Sequence, residues 1–279
     1  MKTILVPTDF SKASDNAIEY AVEIAKATHA GLILFHAYRV PIIATEAVVV
    51  IPATGDIEQY ALHNLKETKR KIQLQHRIGL EIECICKCGF AVEEINFYTN
   101  EHAIDFIVMG MHGAGYLTEK LIGSVTTSLI RDSNCPVMAI DQHVKFRTIK
   151  KIVLACDYKK IRKPLLWTLK DIAQLFDSHI YILNIMNEAE LVLNDSQSAS
   201  CGSALEHAFS RVEHSFHYKT NEDVVDGINE YVINEQMDMV VMIPRKHSGL
   251  ETLFHEPNTK RMAFHTHVPV LALHEQHEE

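Results

Sequence analysis

The sequence has no long apolar run. No window reaches about 18 uninterrupted apolar residues, the length that a transmembrane helix needs, and the opening MKTILVPTDFS lacks the cationic segment and apolar stretch of a secretory signal. Basic residues are outnumbered, with 27 Lys and Arg against 36 Asp and Glu. Because the net charge of -9 disfavours general affinity for nucleic acids and anionic membranes, we expect a cytoplasmic protein with neither partner.

Cysteines are few and irregularly spaced, which argues against a disulfide framework and predicts free thiols. The six are Cys84, Cys86, Cys88, Cys135, Cys156 and Cys201. The first three alternate along one predicted strand and share a face, roughly 6.6 to 7 Å apart, which is wider than tetrahedral zinc ligation favours. We therefore expect small buried thiols packed under a helix, and no metal site.

Short apolar runs rich in β-branched residues alternate with longer stretches of helical period. This pattern predicts an α/β fold with a parallel sheet, and 279 residues suffice for two domains. In the first half the predicted strands are 2–7, 31–37, 81–87, 104–109 and 136–140, and the predicted helices are 12–28, 57–77, 91–102 and 124–132. In the second half the predicted strands are 151–156, 179–186, 212–218, 238–243 and 268–273.

The two halves form an internal repeat. Asp9 precedes its counterpart Asp157 by 148 residues, whereas Asp105 precedes Asp238 by 133. The second copy is therefore 15 residues shorter, and we place the loss between the second and third strands.

Two connecting segments differ in character. The first copy carries the extra segment 39–56, whose apolar run 48–51 we expect to pack as a flap on its own domain or a neighbour; a ligand lid is the alternative. The linker 142–149, QHVKFRTI, is short and has no Pro or Gly, so we expect the two units to sit against each other.

A glycine-rich loop, MGMHGAGYLTEKLIGS at 109–124, joins the fourth strand to the fourth helix. Glycine permits positive φ and close approach of the backbone to a ligand, and N–H groups at a helix N-terminus attract anions. Ser124 at the helix start is suited to cap it or to donate to a phosphate oxygen. Lys120 lies within the loop but not at the position of a P-loop lysine.

The spacing of this loop resembles a known signature. Gly110, Gly113, Gly123 and Ser124 match G-x2-G-x9-G-[ST], which marks the ATP-binding branch of the universal stress protein family. PTDFS at 7–11 and Cys-Pro-Val at 135–137 agree with that family, and the resemblance extends over essentially the whole chain, as in tandem members.

The resemblance implies a fold and a domain division. It implies domains at 1–143, with the loop intact, and at 149–279, with the loop degenerate. Each is expected to be an open, mostly parallel five-stranded sheet with helices on both faces, Rossmann-like and adenine nucleotide α hydrolase-like. The last strands are expected to meet around a pseudo-twofold axis, which makes the chain a pseudo-dimer; further dimerisation is compatible with this.

The resemblance also implies a site for ATP with Mg²⁺ in the first domain. Asp9 is implied on the adenine or ribose side, and Pro7 and Met109 in the base pocket. The residues implied to contact the ribose and the phosphates are Gly110, Gly113, Gly123, Ser124 and the Val125 amide. Ala37 stands where many members have Val after a His, a departure that concerns local packing.

Some of these residues have simpler interpretations. Asp9 followed by Phe, Ser and Lys also fits a helix cap, and the two roles are compatible. Ser124 fits a cap as well. His112 we expect to be an exposed loop histidine.

The second copy lacks the signature. The equivalents of Gly110, Gly113, Gly123 and Ser124 are Ile243, Lys246, Glu256 and Pro257. Pro supplies no N–H, Glu adds negative charge, and Ile does not easily adopt positive φ. We therefore expect one nucleotide per chain.

No catalytic residues are predicted, because no H-E-x-x-H motif, Walker-type P-loop or paired-carboxylate site occurs in the right context. The hypothesis that follows is a stress-response protein that binds ATP and acts as a non-catalytic regulator of an unidentified protein partner. A slow ATPase using the same loop is one alternative. A nucleotide-free module that responds to redox state or metals through its thiols or its 17 histidines is another.

Overall fold

The computed structural model describes residues 2–40, 43–44, 49–50, 54–76, 79–113, 122–156, 163–186, 205–244 and 267–274. The strands of the first half are β1 (Thr3–Pro7), β2 (Gly31–Tyr38), β3 (Ile43–Ala44), β4 (Val49–Val50), β5 (Ile82–Cys88), β6 (Phe106–Gly110) and β7 (Val137–Ile140). Its helices are α1 (Lys12–Thr28), α2 (Thr54–His76), α3 (Ala91–Glu101) and α4 (Ser124–Asp132).

The second half repeats this order. Its strands are β8 (Lys151–Ala155), β9 (His179–Met186), β10 (His214–Thr220), β11 (Met239–Met242) and β12 (Val270–Ala272), and its described longer helices are α5 (Lys163–Phe176) and α6 (Val224–Asn234). The predicted α/β alternation is confirmed. Within the described ranges, no helix combines the length and apolar character needed to cross a bilayer.

The two halves share one ten-stranded sheet, in the order β10-β9-β8-β11-β12-β7-β6-β1-β2-β5. Neighbouring strands are parallel within each half. At the centre β12 pairs antiparallel with β7, with Leu271 opposite Met138. The two predicted five-stranded sheets are therefore continuous, and this central pairing gives the predicted pseudo-dimer its pseudo-twofold relation.

The strand registers refine the comparison of the two copies. Thr3 pairs with Gly31 as Lys151 pairs with His179, which keeps the offset of 148 across the first two strands. The third strands, β5 and β10, begin at Ile82 and His214 and differ by 132. The second copy thus lacks 16 residues before its third strand and regains one before α6.

The extra segment of the first copy contains a small hairpin. Strands β3 and β4 pair antiparallel, with Ala44 opposite Val49. Val48 and Ile51 of the predicted flap lie outside the described residues.

Side chains of the sheet alternate between two apolar layers. Ile4 and Val6 belong to a core cluster that includes residues of α1, α2 and α5, whereas Leu5 belongs to a cluster with residues of α3, α4 and α6. This period of two is what a strand buried on both faces requires. Because both clusters include residues of both halves, the halves are joined by apolar burial as well as by strand pairing.

The linker is fixed to both halves. The buried Asn16 of α1 donates from Nδ2 to the carbonyl oxygens of Asp141 at 2.9 Å and Val144 at 2.8 Å. The ring of Phe146 packs against Tyr20 of the first half and Phe176 of the second, with centroids 5.1 and 6.2 Å away. The linker thus holds the halves together, in agreement with its lack of Pro and Gly.

Replacing Asn16 with alanine tests this anchor. Asn16→Ala leaves the buried Val144 carbonyl without its amide donor, so we expect the free energy of unfolding to fall by about 1 to 3 kcal/mol. The measurement is equilibrium urea unfolding. The control Asn134→Ala removes the same side chain from an exposed turn and should change the value by less than about 0.5 kcal/mol. Equal effects in the two variants would contradict the assignment.

Candidate functional site

A cavity of about 380 Å³ opens at the carboxyl ends of β1, β2 and β6. The strand order reverses here, since β2 lies on one side of β1 and β6 on the other, and ligands of open α/β sheets bind at such points. All nine residues singled out from the sequence line the cavity: Pro7, Asp9, Ala37, Met109, Gly110, Gly113, Gly123, Ser124 and Val125. Eight further lining residues were not predicted as site residues: Thr8, Ser14, Phe35, His36, Ala91, Ile95, His112 and Thr126.

The loop between β1 and α1 forms one wall. Asp9 is not the helix cap, because Ser11 occupies the N-cap position and accepts from the Ser14 amide. The Asp9 carboxylate instead accepts from the Ser11 amide at 3.1 Å. The cap interpretation of Asp9 is thus wrong by two residues, and its exposed carboxylate lies at the cavity.

His36 closes the same wall. Its Nδ1 lies 2.8 Å from the carbonyl oxygen of Thr8, and since a carbonyl only accepts, Nδ1 must carry the hydrogen. In neutral His36 the Nε2 atom is therefore an acceptor. The ring packs on Phe10, with centroids 4.6 Å apart, and Phe10 has a positive φ of 60°.

The described glycines of the loop, Gly110, Gly113 and Gly123, allow close packing and do not adopt unusual dihedral angles. Among the described residues no glycine has a positive φ, so the expected role of positive φ at Gly110, Gly113 and Gly123 is wrong. A Cβ at Gly110 would lie 2.9 Å from the main-chain carbonyl carbon of Ala13, which is closer than side chains allow. At Gly113 a Cβ would lie 3.0 Å from Asp9 Oδ2. Gly110 thus lets α1 approach β6, and Gly113 keeps room beside the Asp9 carboxylate.

The N-terminus of α4 forms the opposite wall. Its N-cap is Gly123, which has no side chain, so Ser124 is the first helical residue and not the expected cap. The first N–H groups of a helix have no acceptor within the helix and carry the positive end of its dipole. Thr126 fixes this end, since its hydroxyl donates to the Gly110 carbonyl at 2.9 Å. The wall therefore suits an anion.

His112 is not the exposed loop histidine that the sequence suggested. Its side chain is only 14% exposed, and Nδ1 lies 3.7 Å from Asp141 Oδ2. Nδ1 is buried and has no hydrogen-bond partner. Loop position alone could not show this, because Asp141 lies 29 residues further along the chain, after a neighbouring strand.

Comparison with known proteins agrees with this architecture. The universal stress protein family matches residues 1–141 and again 148–274. This chain belongs to the universal stress protein family. Its relatives include the universal stress protein MJ0531 of Methanocaldococcus jannaschii, 28% identical over 148 residues, which are 52% of this chain and 84% of the relative. Another is universal stress protein YxiE of Bacillus subtilis, 28% identical over 49% of this chain and 97% of the relative.

A solved universal stress protein from Archaeoglobus fulgidus shares the whole tandem fold. It superposes with a TM-score of 0.74 at 19% identity, and the match covers 98% of each chain. The tandem two-domain arrangement predicted from the sequence is thereby confirmed.

The second universal stress protein domain differs at the equivalent place. Ile243 stands where the first domain has Gly110, and its side chain is buried in the core. Cys156 replaces Thr8 and is buried as well. Lys246, Glu256 and Pro257 lie outside the described residues, as does Lys120 of the first loop. The Ile243 side chain thus occupies the position at which Gly110 lets α1 approach β6 in the first domain.

The cysteine row lies on β5, an edge strand of the sheet. Cys84 and Cys86 are half-buried beneath α2 and Cys88 is exposed, so the expectation of buried thiols is wrong for Cys88. All described cysteines are free thiols. Burial, with Glu58 and Cys88 nearby, raises the pKa of Cys86 to about 11. Within the described ranges, no group of three or more His, Cys, Asp or Glu is placed to hold a metal ion.

Substituting the glycines separates close packing from an open wall. Gly110→Ala sets a Cβ against the backbone of α1, so we expect a loss of about 1 to 3 kcal/mol in the free energy of unfolding. Gly113→Ala meets only the end of the Asp9 side chain, which can turn away, and should leave stability nearly unchanged. Gly55→Ala, where no atom lies within 4 Å, is the control. Equilibrium urea unfolding of the three variants ranks them, and a harmless Gly110→Ala would refute the packing role.

Proposed function

We propose that this universal stress protein binds ATP, with Mg²⁺, in the cavity of its first domain and acts as a non-catalytic regulator. Nucleotide occupancy would then bias its contacts with a protein partner. The observation that carries the proposal is the convergence of three separate segments: the β1–α1 loop, the end of β2 and the glycine loop with α4 line one cavity.

The cavity is lined by both apolar and polar groups. Pro7, Phe35, Ala37, Ile95 and Met109 line it with apolar surface, which suits the faces of a purine base. Ser124 and Thr126 lie at the helix N-terminus, which suits phosphates. The volume of about 380 Å³ falls in the range of roughly 300 to 1,000 Å³ that is typical of ligand sites.

The lining residues also limit how Mg²⁺ would be held. Among the described lining residues, Asp9 is the one with a carboxylate. Mg²⁺ at nucleotide sites is commonly bound through one or two carboxylates together with substrate phosphates. We therefore expect the metal to arrive with the nucleotide and to bind weakly without it.

Slow ATP hydrolysis at the same site is a second candidate. The observation that favours it is the His112 imidazole beside the Asp141 carboxylate at the cavity, an arrangement that can orient a general base. The nucleophile of this reaction would be a water molecule that the pair activates, so a measurement of turnover distinguishes the two candidates.

Calorimetric titration with Mg-ATP tests the binding proposal. We expect about one ATP per chain, because the second domain has Lys246, Glu256 and Pro257 at the positions of Gly113, Gly123 and Ser124. Gly123→Glu with Ser124→Pro introduces the second copy's charge and removes one N–H, so the affinity should fall by at least about 100-fold, the effect of losing roughly 3 kcal/mol. The matched control is Ser128→Ala, on the same helix but away from the cavity, which should bind as the wild type does.

Circular dichroism should show that the double variant remains folded, since Pro is tolerated at the first helical position. Two equivalent sites, or undiminished binding by the folded double variant, would refute the assignment. Phosphate release from the same samples distinguishes the candidates: multiple turnovers that stop in His112→Ala would favour the ATPase, and their absence the regulator.

A further inference from the structure

A histidine of the second domain contacts helix α4 of the first domain. His274 follows β12 and is 7% exposed. Its Nε2 lies 2.5 Å from the carbonyl oxygen of Ile130, 144 residues earlier in the chain. Ile130 belongs to the last turn of α4, the helix whose N-terminus lines the cavity.

This contact satisfies a group that the helix itself leaves unpaired. The last four carbonyls of an α-helix have no intrahelical donor, and the Ile130 main chain is buried with its residue. His274 therefore supplies the donor from the neighbouring domain. At the other end, Thr126 ties the first turn to the Gly110 carbonyl, so this nine-residue helix is fixed at both ends.

The internal repeat does not provide an equivalent donor in the first domain. Asp141 is the equivalent residue of the first domain, 133 positions earlier, and a carboxylate cannot donate to a carbonyl unless it is protonated. The second domain has lost the glycine loop, yet it keeps a donor aimed at the first domain's helix.

We propose that the second domain positions the nucleotide-binding helix α4 of the first domain through His274. The hydrogen bond from His274 to the Ile130 carbonyl then sets the affinity for the nucleotide. The nucleotide part of this inference rests on the proposed function. His274 is a positioning residue, because it acts through α4 and lies at the far end of the helix from the cavity. Linkage makes the effect reciprocal: nucleotide binding would also strengthen the junction.

The protonation state of His274 makes the contact sensitive to acid. In the neutral ring Nε2 carries the hydrogen that it donates, and Nδ1 is buried with no hydrogen-bond partner. Protonation keeps the Nε2 hydrogen but adds a charge and an Nδ1–H in this buried place, which disfavours the contact. Burial lowers the pKa of His274, against smaller opposing effects of nearby backbone carbonyls and Asp132. Asp132 is itself paired with Arg131, and burial raises the pKa of the neighbouring Cys135 thiol to about 12, which keeps it neutral.

The sign of the pH effect follows from this. The lowered pKa means that neutral His274 contributes stability above the ordinary histidine value of about 6.5. That contribution is lost as the pH falls through the lower folded-state pKa. We therefore expect acid to loosen α4 and to weaken nucleotide binding.

Three variants test the proposal in the full chain. His274→Ala removes the donor, whereas His274→Gln keeps an amide donor near the position of Nε2 and does not titrate. His179→Ala is the control and removes a histidine from β9, which is separated from β12 by β8 and β11 in the sheet. The two readouts are hydrogen exchange of the α4 amides without nucleotide and the affinity for Mg-ATP, each between pH 5 and 7.5.

We expect His274→Ala to speed α4 exchange and to weaken ATP binding by about fivefold or more. His274→Gln should stay near wild type at pH 7.5 and lose the wild type's acid-dependent rise in α4 exchange. Unchanged exchange in His274→Ala would overturn the proposal. Faster exchange without any ATP binding by the wild type would leave the contact standing and refute the proposed ligand instead, so the two failures are distinguishable.

Discussion

The antiparallel pairing of β7 with β12 is the contact on which the rest of the structure depends. It merges two parallel sheets into one, and it carries the two apolar layers across the join. It also sets the end of β12 beside the α4–β7 turn, which is why His274 reaches Ile130. A second domain whose sequence lacks the glycine signature thus still shapes the surroundings of the first domain's helix.

Close packing at one strand end distinguishes the two domains. Gly110 lets α1 approach β6 so tightly that a Cβ would collide with Ala13, and the cavity forms beside this contact. In the second domain Ile243 is buried at the equivalent place. The same strand end thus carries a glycine beside a cavity in the first domain and a buried isoleucine in the second.

The sequence was a good guide to the helices and strands, although it misplaced the caps of α1 and α4. Helices α1 and α4 begin and end at the predicted residues, and the two-residue period of a strand explains why Ile4 and Val6 lie in one layer and Leu5 in the other. The signature spacing also named loop residues that the fold brings to one cavity. Such features depend on neighbours in the chain, so a linear pattern can show them.

Features that depend on distant partners escaped the sequence. His112 was expected to be exposed, but its side chain is largely buried and lies beside Asp141. Thr126 lines the cavity and donates a hydrogen bond to the Gly110 carbonyl. Cys88 is exposed at the end of β5, whereas Cys84 and Cys86 of the same strand are half-buried. The alternation of the three cysteines could not show this difference. His274 gave no sequence signal at all, because its partner lies 144 residues away.

The central claim is that the first domain alone holds the nucleotide, between the glycine loop and α4. Hydrogen–deuterium exchange with and without saturating Mg-ATP tests this directly. The account predicts slower exchange at 110–113 and 124–126, with no change at 239–243 of the second domain. Protection at the second domain's strand end, or none at the first domain's loop, would contradict it.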